Sequence, residues 1–236
     1  MKAVILAGGK GTRLAPYTYI LPKPLMPVDH MPIMEVLLRQ MKAAGVKDIT
    51  LTVGHLSGLI QSYFQDGCRW GLNISYSQEE FPLGTAGPLA RVEGLDDTFM
   101  VTNGDVLTTL DFEELYRFHK DRGGIATIAA HCRQVKIDYG VIKMNGGSEV
   151  LGYDEKPVID YLVSMGVYIF EPDVLKYIVR DEYLDFPNLV LKLIAAGEKV
   201  ISFPFDGYWM DLGRPDDYIQ ATGDFDSMKS QFLHED

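Results

Sequence analysis

The segment KAVILAGGKGTRL, residues 2–14, sets the architecture of the chain. Its first part, residues 2–7, is a short apolar run that predicts a buried strand. This strand leads directly into a turn with three glycines and two basic residues. Glycine allows backbone N–H groups to approach a phosphate closely, and successive N–H groups form an anion-binding concavity. Because ligands bind beyond the carboxyl ends of the strands in open α/β sheets, the segment predicts a phosphate-binding loop at such an edge.

Two known nucleotide-binding motifs do not fit this turn. The dinucleotide-binding fingerprint needs a third glycine where Leu14 stands, and three prolines precede Asp29, so no regular strand delivers this acid to a ribose. The P-loop motif needs Ser or Thr after its lysine, whereas Lys10 is followed by Gly11. A tight turn without a ligand stays open as the alternative. Lys10 and Arg13 favour a phosphate-binding loop because they supply counter-charge.

The rest of the chain alternates short apolar runs with helical patterns. Strands are predicted at residues 2–7, 48–53, 73–77, 98–102, 125–130, 140–144, 150–154, 162–170 and 200–203. Helices are predicted at residues 33–44, 59–64, 173–179 and 187–196, and Asp111 with Glu114 forms a capping-box signature ahead of a helix through His119. Such alternation implies right-handed βαβ units and a mostly parallel sheet. We therefore predict one α/β domain, residues 1–236, with a small added mixed-sheet lobe near residues 125–170.

The composition excludes several classes of partner. The chain has 236 residues, with 22 Lys and Arg against 33 Asp and Glu, so its formal net charge is −11. Nucleic acid and anionic membranes both attract basic surfaces, so neither is an expected partner, whereas a small anion in a local basic pocket is compatible with this balance. The apolar start is too short for a secretory signal, and no run approaches the ~20 apolar residues of a membrane span. We expect a cytoplasmic protein.

Cysteine usage points to the same compartment. Cys68 and Cys132 are the two cysteines of the chain, and neither has a His or Cys at metal-ligand spacing. We expect two buried thiols in a reducing environment. A disulfide or a zinc site is the alternative.

A lysine on a stiff segment adds a second basic element, because Lys23 lies between two prolines that aim its charge. An ordinary surface lysine is the alternative. Together, LAGGKGTRL at residues 6–14 and KPL at residues 23–25 resemble the signature of the sugar-1-phosphate nucleotidylyltransferases. Further matching motifs follow in the same order to about residue 221: LGTAG (83–87), GD (104–105), YG (139–140), EKP (155–157) and WMDLG (209–213). The resemblance therefore covers nearly the whole chain.

This resemblance implies a fold and a reaction. The fold is a Rossmann-like three-layer sandwich with the active site at the carboxyl edge of a mostly parallel mixed sheet. The reaction is the attack of a sugar-1-phosphate oxygen on the α-phosphorus of a nucleoside triphosphate, which expels pyrophosphate. Positioning and charge neutralisation carry such a reaction, and Mg²⁺ suits it because this ion takes oxygen ligands from carboxylates and phosphates.

The resemblance also assigns roles to individual residues. Asp105 and Asp211 would hold Mg²⁺, with a turn cap as the alternative for Asp105 and a surface acid for Asp211. Arg13, Lys23 and Asp105 form the implied catalytic set, in which Arg13 neutralises the departing pyrophosphate and Lys23 the α-phosphate. The implied nucleotide-binding residues are Leu6, Ala7, Gly8, Gly9, Gly11, Thr12, Arg13, Lys23, Gln78, Glu79, Gly84, Thr85 and Asp105. The implied sugar-phosphate-binding residues are Gly140, Glu155, Lys156 and Ser164.

Recognition of the base falls near residues 78–80 and 84–86. An acceptor side chain there pairs with N1–H and the amino group of guanine, or with N3–H of uracil or thymine. Whether Gln78 or Glu79 faces the base depends on the strand register. Residues 80–89 are most similar to guanylyltransferases that act on mannose 1-phosphate or a heptose 1-phosphate, so we expect GTP and such a sugar. A uridylyl- or thymidylyltransferase stays open.

On the sugar side, the resemblance implies that Lys156 binds the phosphate and that Glu155 accepts hydrogen bonds from sugar hydroxyls. Adjacent residues of an extended chain point to opposite sides, so both line one site only where the chain bends, and Pro157 favours a bend. Two residues depart from the family's pattern: Ser164 replaces the usual Asn, and Arg214 replaces the usual Thr. The sugar pocket can therefore differ from that of a mannose enzyme, and Arg214 can meet a phosphate or an acidic sugar substituent.

Two other functions stay open. A non-catalytic nucleotide-sugar-binding subunit would lose metal or phosphate ligands, which this chain retains. An NAD-binding oxidoreductase finds no support in the glycine pattern. A homo-oligomer is compatible with the sequence. We expect a catalytic domain of nucleotide-sugar and polysaccharide biosynthesis, without the acyltransferase or isomerase extension of bifunctional relatives.

Overall fold

The computed structural model describes residues 1–233, and a seven-stranded sheet forms its centre. The strands are β1 (Lys2–Ala7), β2 (Pro27–Val28), β3 (Met31–Pro32), β4 (Asp48–Val53), β5 (Asn73–Gln78), β6 (Phe99–Asn103), β7 (Val106–Thr108), β8 (Ala126–Lys136), β9 (Val141–Met144), β10 (Val150–Asp154), β11 (Val158–Phe170), β12 (Val200–Phe205) and β13 (Trp209–Asp211). The α-helices are α1 (Ile33–Ala43), α2 (Ser57–Phe64), α3 (Phe112–Arg122), α4 (Phe186–Ala195) and α5 (Pro215–Phe232). The predicted domain end at residue 236 lies outside the described residues.

The central sheet has the strand order β12-β8-β11-β6-β1-β4-β5. Neighbouring strands are parallel except at β11, which runs antiparallel to both β6 and β8. Strands β1, β4, β5 and β6 therefore end at one edge of the sheet, where the loops that follow them meet. With helices on both faces, this mixed sheet confirms the predicted Rossmann-like α/β sandwich of three layers.

Apolar layers cover both faces of the sheet, because alternate residues of each strand point to opposite faces. Ile5 of β1 belongs to one buried cluster together with Leu37 of α1. The next residue toward the amino end, Val4, belongs to the opposite cluster together with Leu189 of α4. Burying both faces of β1 in this way fixes the position of the loop that follows it.

A third apolar cluster attaches α5 to the edge at which the parallel strands end. Leu107 of β7, Leu212 after β13 and Phe225 of α5 are buried in it. β13 pairs antiparallel with β7, and the Leu212 N–H donates to the Asp105 carbonyl oxygen at 3.1 Å. This pairing brings Asp211 beside Asp105, although the two lie far apart in the sequence.

Most predicted elements agree with the structure within two residues at each end. The predicted cap of α3 is confirmed, since the Asp111 carboxylate accepts hydrogen bonds from the N–H groups of Glu113 and Glu114 at 2.9 and 3.1 Å. The predicted helix at residues 173–179 is instead a 3₁₀ segment, Pro172–Tyr177.

The predicted lobe needs correction. β8 and β11 are longer than predicted, and they belong to the central sheet. The lobe that extends from that sheet has two parts. One is the outer ends of β8 and β11, where Lys136 pairs with Val158, and the other is the antiparallel hairpin of β9 and β10. An apolar alternating run predicts a strand without indicating which sheet it joins, so the sequence could not separate these two parts.

Both cysteines are exposed, so the prediction of two buried thiols is wrong. Cys68 begins a 3₁₀ turn, and Cys132 lies on β8 opposite Leu162, which is itself exposed. The prediction rested on a reducing compartment and on the lack of partners at metal-ligand spacing, which do not determine whether a particular turn or strand end is buried. Neither thiol forms a disulfide. No helix within residues 1–233 is long and apolar enough to cross a membrane.

Candidate active site

The glycine-rich loop follows β1 and is held from two sides. Gly11 has a left-handed backbone with φ of 61°, and a Cβ atom there would lie 2.9 Å from Thr18 Cγ2. The Thr18 hydroxyl donates to the Gly11 carbonyl oxygen at 2.9 Å, and the His55 N–H donates to the Gly8 carbonyl oxygen at 3.3 Å. The end of β1 and this loop carry seven of the predicted nucleotide-binding residues: Leu6, Ala7, Gly8, Gly9, Gly11, Thr12 and Arg13. The sequence did not identify Thr18 and His55 as the residues that hold the loop.

Arg13 extends from this loop to the end of β13. A Cβ atom at Gly213 would lie 3.0 Å from Arg13 Nη2 and 3.3 Å from Asp211 Oδ2. The guanidinium group therefore lies against the bare backbone of Gly213 and beside the Asp211 carboxylate. A Cβ atom at position 213 would require the guanidinium group to shift by a few tenths of an ångström. The WMDLG motif marked this glycine, but its role follows from a contact between the two ends of the chain.

Lys23 brings the two predicted metal ligands together. It begins a 3₁₀ turn, Lys23–Leu25, directly after an extended proline, so its backbone is stiff. Its ammonium group contacts the Asp105 carboxylate and lies 3.5 Å from Asp211 Oδ1. The side chains of Lys23 and Asp105 are 13% and 14% exposed, which contradicts an ordinary surface lysine. Three charged groups thus share one small volume at the edge of the sheet.

Burial shifts the titration of this cluster. It raises the pKa of Asp105 above the ordinary value, and the charge of Asp211 adds to the rise, while the ammonium of Lys23 opposes it. A second observation concerns Asp211, whose Oδ1 atom is buried and accepts no hydrogen bond within residues 1–233. The ammonium of Lys23, 3.5 Å away, is a distant partner for this buried oxygen, so the cluster can accept a further cation.

This donor set fits a divalent metal. In the described part of the chain, no group of three or more His, Cys, Asp or Glu residues could hold a metal ion. The two carboxylates of Asp105 and Asp211, brought together by Lys23, are the predicted metal ligands. Mg²⁺ is usually bound by one or two carboxylates together with waters and substrate phosphates, which matches this arrangement.

Glu79 lies against the glycine-rich loop from the side of β5. A Cβ atom at Gly8 would overlap the Glu79 carboxylate, so Gly8 makes room for this acid. The Glu79 N–H donates to Val53 at 2.8 Å, and its Oε2 accepts from the Leu83 N–H at 3.4 Å. Burial raises the pKa of Glu79, and the Leu83 N–H and the charge of Arg91 oppose this rise. Gln78, the other predicted base-binding residue, instead lines a groove beside β5.

The LGTAG motif is tied to the segment ahead of α4. The Thr85 N–H donates to Asp185 Oδ1 at 3.0 Å, and the Thr85 hydroxyl accepts from the Phe186 N–H at 2.8 Å. Gly84 has φ of 80°, and a Cβ atom there would lie 2.5 Å from the Leu184 carbonyl oxygen. Asp185 thereby supports the loop that follows Glu79. No local sequence pattern could reveal this contact, because it joins distant parts of the chain.

The predicted sugar side lies on the lobe. Lys156 has φ of 46°, so the chain bends there, as the Glu-Lys-Pro sequence predicted. Glu155 and Lys156 are both exposed, and the Tyr153 ring packs against Gly140. The bend allows the side chains of Glu155 and Lys156 to leave the chain on one side, which a regular strand would not.

Ser164 lies at a bulge where the pairing of β8 with β11 shifts register, between Ser164 and Tyr168. Its hydroxyl forms a 3.0 Å hydrogen bond with the Tyr168 hydroxyl and accepts from the Gly166 N–H at 3.3 Å. The bulge is joined to β13, since the Trp209 indole N–H donates to the Met165 carbonyl oxygen at 3.0 Å. The bulge that carries Ser164 is thus connected to β13, which is also the strand that carries Asp211. Arg214, the other departure from the family's pattern, is exposed directly ahead of α5.

Comparison with known proteins gives one family. A family model described as nucleotidyl transferase matches residues 2–227. The mannose-1-phosphate guanyltransferase of Yarrowia lipolytica is 40% identical over 234 residues, covering 94% of this chain and 63% of that protein. The UTP–glucose-1-phosphate uridylyltransferase of Synechocystis sp. is 37% identical over 241 residues, covering 94% of this chain and 62% of that protein. The chain thus spans somewhat less than two thirds of the length of these relatives.

Solved structures agree on the fold. A protein assigned as a glucose-1-phosphate thymidylyltransferase from Bacillus anthracis superposes with a TM-score of 0.76 at 23% identity, covering 94% of each chain. HddC from Yersinia pseudotuberculosis, in complex with GMP-PN, superposes with a TM-score of 0.72 at 24% identity, covering 95% of this chain and 99% of that one. At this level of identity the two structures establish the fold alone.

Proposed function

Because the chain belongs to the nucleotidyl transferase family, we propose that it transfers a nucleoside monophosphate from a nucleoside triphosphate to a sugar 1-phosphate. A phosphate oxygen of the sugar 1-phosphate forms a bond to the α-phosphorus, and the bond from that phosphorus to the bridging oxygen of pyrophosphate breaks. The products are a nucleoside diphosphate sugar and pyrophosphate. The observation that carries the proposal is the convergence of Lys23, Arg13 and two carboxylates at the end of the glycine-rich loop.

The residues of this cluster have separate tasks. The loop after β1 would hold the triphosphate with its backbone N–H groups, as anion-binding turns do. Arg13, beside Gly213, would neutralise the pyrophosphate as it departs, and Lys23 would neutralise the α-phosphate, where charge develops in the transition state. Like charges on the two substrates make the barrier, so fixed positive groups lower it.

A divalent metal completes this charge balance, since the family is generally dependent on one. Asp105 and Asp211 are the residues that would hold it, and we propose Mg²⁺. When bound, it would act as a Lewis acid that neutralises phosphate charge and orients the two substrates. The Oδ1 atom of Asp211, which is buried and accepts no hydrogen bond in the described chain, supports this assignment.

Guanine is the base that we propose. Glu79 lies beside Gly8 at the edge of the loop, and an ionised carboxylate can accept hydrogen bonds from both N1–H and the amino group of guanine. Several relatives are named as mannose-1-phosphate guanyltransferases, with identities of 36–40%. Uracil is the second candidate, because one relative is named as a uridylyltransferase. Thymine fits equally well on chemical grounds, because the N3–H of both bases also pairs with an acceptor.

A mannose-like or heptose-like 1-phosphate is the proposed acceptor. Lys156, at the bend of the lobe, would bind its phosphate, and Glu155 would accept hydrogen bonds from its hydroxyls. Ser164 and the backbone of Gly140 would line the sugar pocket. A homo-oligomer and a cytoplasmic location stay predictions from the sequence.

A matrix of pyrophosphate-release assays tests this function. GTP, UTP, dTTP, CTP and ATP are each combined with mannose, glucose and heptose 1-phosphates in the presence of Mg²⁺. We expect the highest kcat/KM with GTP and a mannose-like or heptose-like sugar. Pyrophosphate release with UTP or dTTP but not with GTP would make uracil or thymine the recognised base in place of guanine. Nucleotide-sugar binding without release in any combination would make the chain a non-catalytic binding subunit, and binding of NADH in place of triphosphates would revive the oxidoreductase.

A further inference from the structure

Arg91 lies outside the cluster just described and makes three separate contacts. It ends the 3₁₀ segment Gly87–Arg91, and its side chain is 17% exposed. Its Nε donates to Asp181 Oδ1 at 2.7 Å. Its Nη1 donates to the Gln78 carbonyl oxygen at the long distance of 3.5 Å, and its guanidinium carbon lies 5.0 Å from the centroid of the Phe81 ring.

Two of these contacts flank Glu79 along the chain. Gln78 precedes Glu79, and Phe81 follows it by two residues, so Arg91 holds the segment on both sides of this acid. The segment needs such support because β5 is an edge strand of the sheet and Gln78 is its last residue. Phe81 is 44% exposed and therefore gains little from burial in the core.

The third contact anchors Arg91 itself. Asp181 adopts a left-handed backbone with φ of 66°, and it belongs to the segment between Pro172–Tyr177 and α4. This charge-assisted hydrogen bond is short and directional, and because the Asp181 side chain is 51% exposed, it orients the guanidinium group more than it stabilises the fold. Arg91 thus links the segment after β5 to the segment ahead of α4, which also supports the LGTAG motif through Asp185.

Charge adds to this geometry. The positive charge of Arg91 opposes the rise in the pKa of Glu79 that burial causes. The acceptor-only form of Glu79, which guanine requires, is therefore favoured by the same side chain that holds the segment in place.

We infer that Arg91 is a positioning residue for base selection: it holds residues 78–81 so that Glu79 meets the nucleotide base, and it touches none of the reacting atoms. This inference rests on the proposed function of Glu79. Its consequence is a separation of effects, because substitution of Arg91 weakens nucleotide binding and base discrimination while the catalytic step on the bound substrate is retained.

The test compares Arg91→Met with Arg180→Met. Arg180 lies in the same groove beside β5, next to Asp181, and is exposed. Its substitution therefore removes one positive charge from the same region and serves as the matched control. For Arg91→Met we expect the KM for GTP to rise about tenfold, with kcat within about threefold of the unsubstituted protein. For Arg180→Met we expect both constants to stay within about twofold. Arg91→Lys keeps the charge without the planar fork, so it should restore GTP binding only in part.

A double-mutant cycle with Glu79→Gln identifies the route of the effect. If Arg91 acts through Glu79, Arg91→Met should change the preference for GTP over UTP by less than about twofold in the Glu79→Gln background. Additive effects of the two substitutions would overturn the inference, and so would a fall in kcat as large as the rise in KM. If Arg91→Met lowers the unfolding midpoint by more than about 5 °C, Asp181→Asn and Phe81→Leu provide the same test through the partners of Arg91.

Equilibrium binding of GDP and UDP by calorimetry separates this inference from the proposed reaction. Guanine binding that depends on Arg91, in a protein without pyrophosphate release, would refute the proposed reaction and support the inference. Turnover of GTP, with guanine binding that does not depend on Arg91, would support the proposed reaction and refute the inference.

Discussion

The substitution Asp211→Asn should lower activity strongly and change stability little. It removes one of two carboxylates at the proposed metal site while keeping the size and shape of the side chain. Asp211 lies 3.5 Å from the Lys23 ammonium, and the same ammonium contacts Asp105. The charges at this position therefore act in opposite directions on folding, and the net effect can be worked from the contacts.

At an effective dielectric constant of about 20, two opposite charges about 4 Å apart attract by about 4 kcal/mol. Lys23 and Arg13 both attract the Asp211 carboxylate, and Asp105 repels it. Because the Asp211 side chain is 40% exposed, solvent reduces the net attraction to about 1 kcal/mol. The buried Oδ1 atom acts in the opposite direction, because it accepts no hydrogen bond in the described chain. A buried polar group without a hydrogen bond costs about 1–3 kcal/mol, and the amide of Asn leaves a polar atom at the same place, so the free energy of unfolding should change by less than about 1 kcal/mol.

Two assays measure the two effects. Thermal unfolding in EDTA should give a midpoint for Asp211→Asn within about 4 °C of the unsubstituted protein, because about 1 kcal/mol corresponds to about 2–4 °C for a domain of this size. Pyrophosphate release with Mg²⁺ should fall at least about 100-fold, or about 2.7 kcal/mol of transition-state stabilisation. Asp173→Asn is the matched control, because Asp173 forms an exposed surface pair with Lys176 and should change neither quantity measurably. Retention of more than about a tenth of the turnover, or a midpoint that differs by more than about 5 °C, would refute the reasoning.

Three further substitutions and conditions test other parts of the structure. Lys156→Met should raise the KM for the sugar 1-phosphate by about 10–100-fold, with the KM for the triphosphate nearly unchanged, because a charge-assisted contact to phosphate is lost; the opposite pattern of KM values would contradict the assignment. Gly8→Ala should raise the KM for the triphosphate at least about tenfold, because the added methyl group would overlap the Glu79 carboxylate; unchanged kinetics would show that Glu79 moves away freely. Burial lowers the pKa of His119, so below about pH 6.5 the unfolded chain binds a proton that the folded chain does not. The free energy of unfolding should therefore decrease as the pH is lowered below about 6.5. Urea denaturation between pH 7.5 and 5.5 measures this, and His119→Asn should flatten the dependence; an identical slope in both proteins would exclude His119 as its source.

Local patterns in the sequence were sufficient for the first strand, the loop after it and one helix cap. The apolar run of β1, the glycines after it and the cap of α3 each depend on interactions within a few residues, and each was predicted closely. The bend at Lys156 was predicted for the same reason, since the constraint comes from the neighbouring Pro157.

Contacts between distant segments were beyond such patterns. The packing of Arg13 on Gly213, the support of Thr85 by Asp185 and the choice of Glu79 over Gln78 at the loop all depend on how separate segments meet in the folded chain. The exposure of both cysteines and the extent of β8 and β11 have the same origin, because an apolar or β-branched run looks alike inside and beyond the sheet.

The course of β11 has a mechanical consequence for the lobe. The strand runs without interruption from Val158, two residues after the bend at Lys156, to Phe170 in the core, and it stays paired with β8 on both sides of the bulge. The lobe is therefore attached through two continuous paired strands and not through a flexible linker. Its displacement requires elastic bending of the ribbon, and the strain concentrates at the bulge between Ser164 and Tyr168, where the register shifts. The distance between the residues that would grip the two substrates is therefore governed by the stiffness of this ribbon.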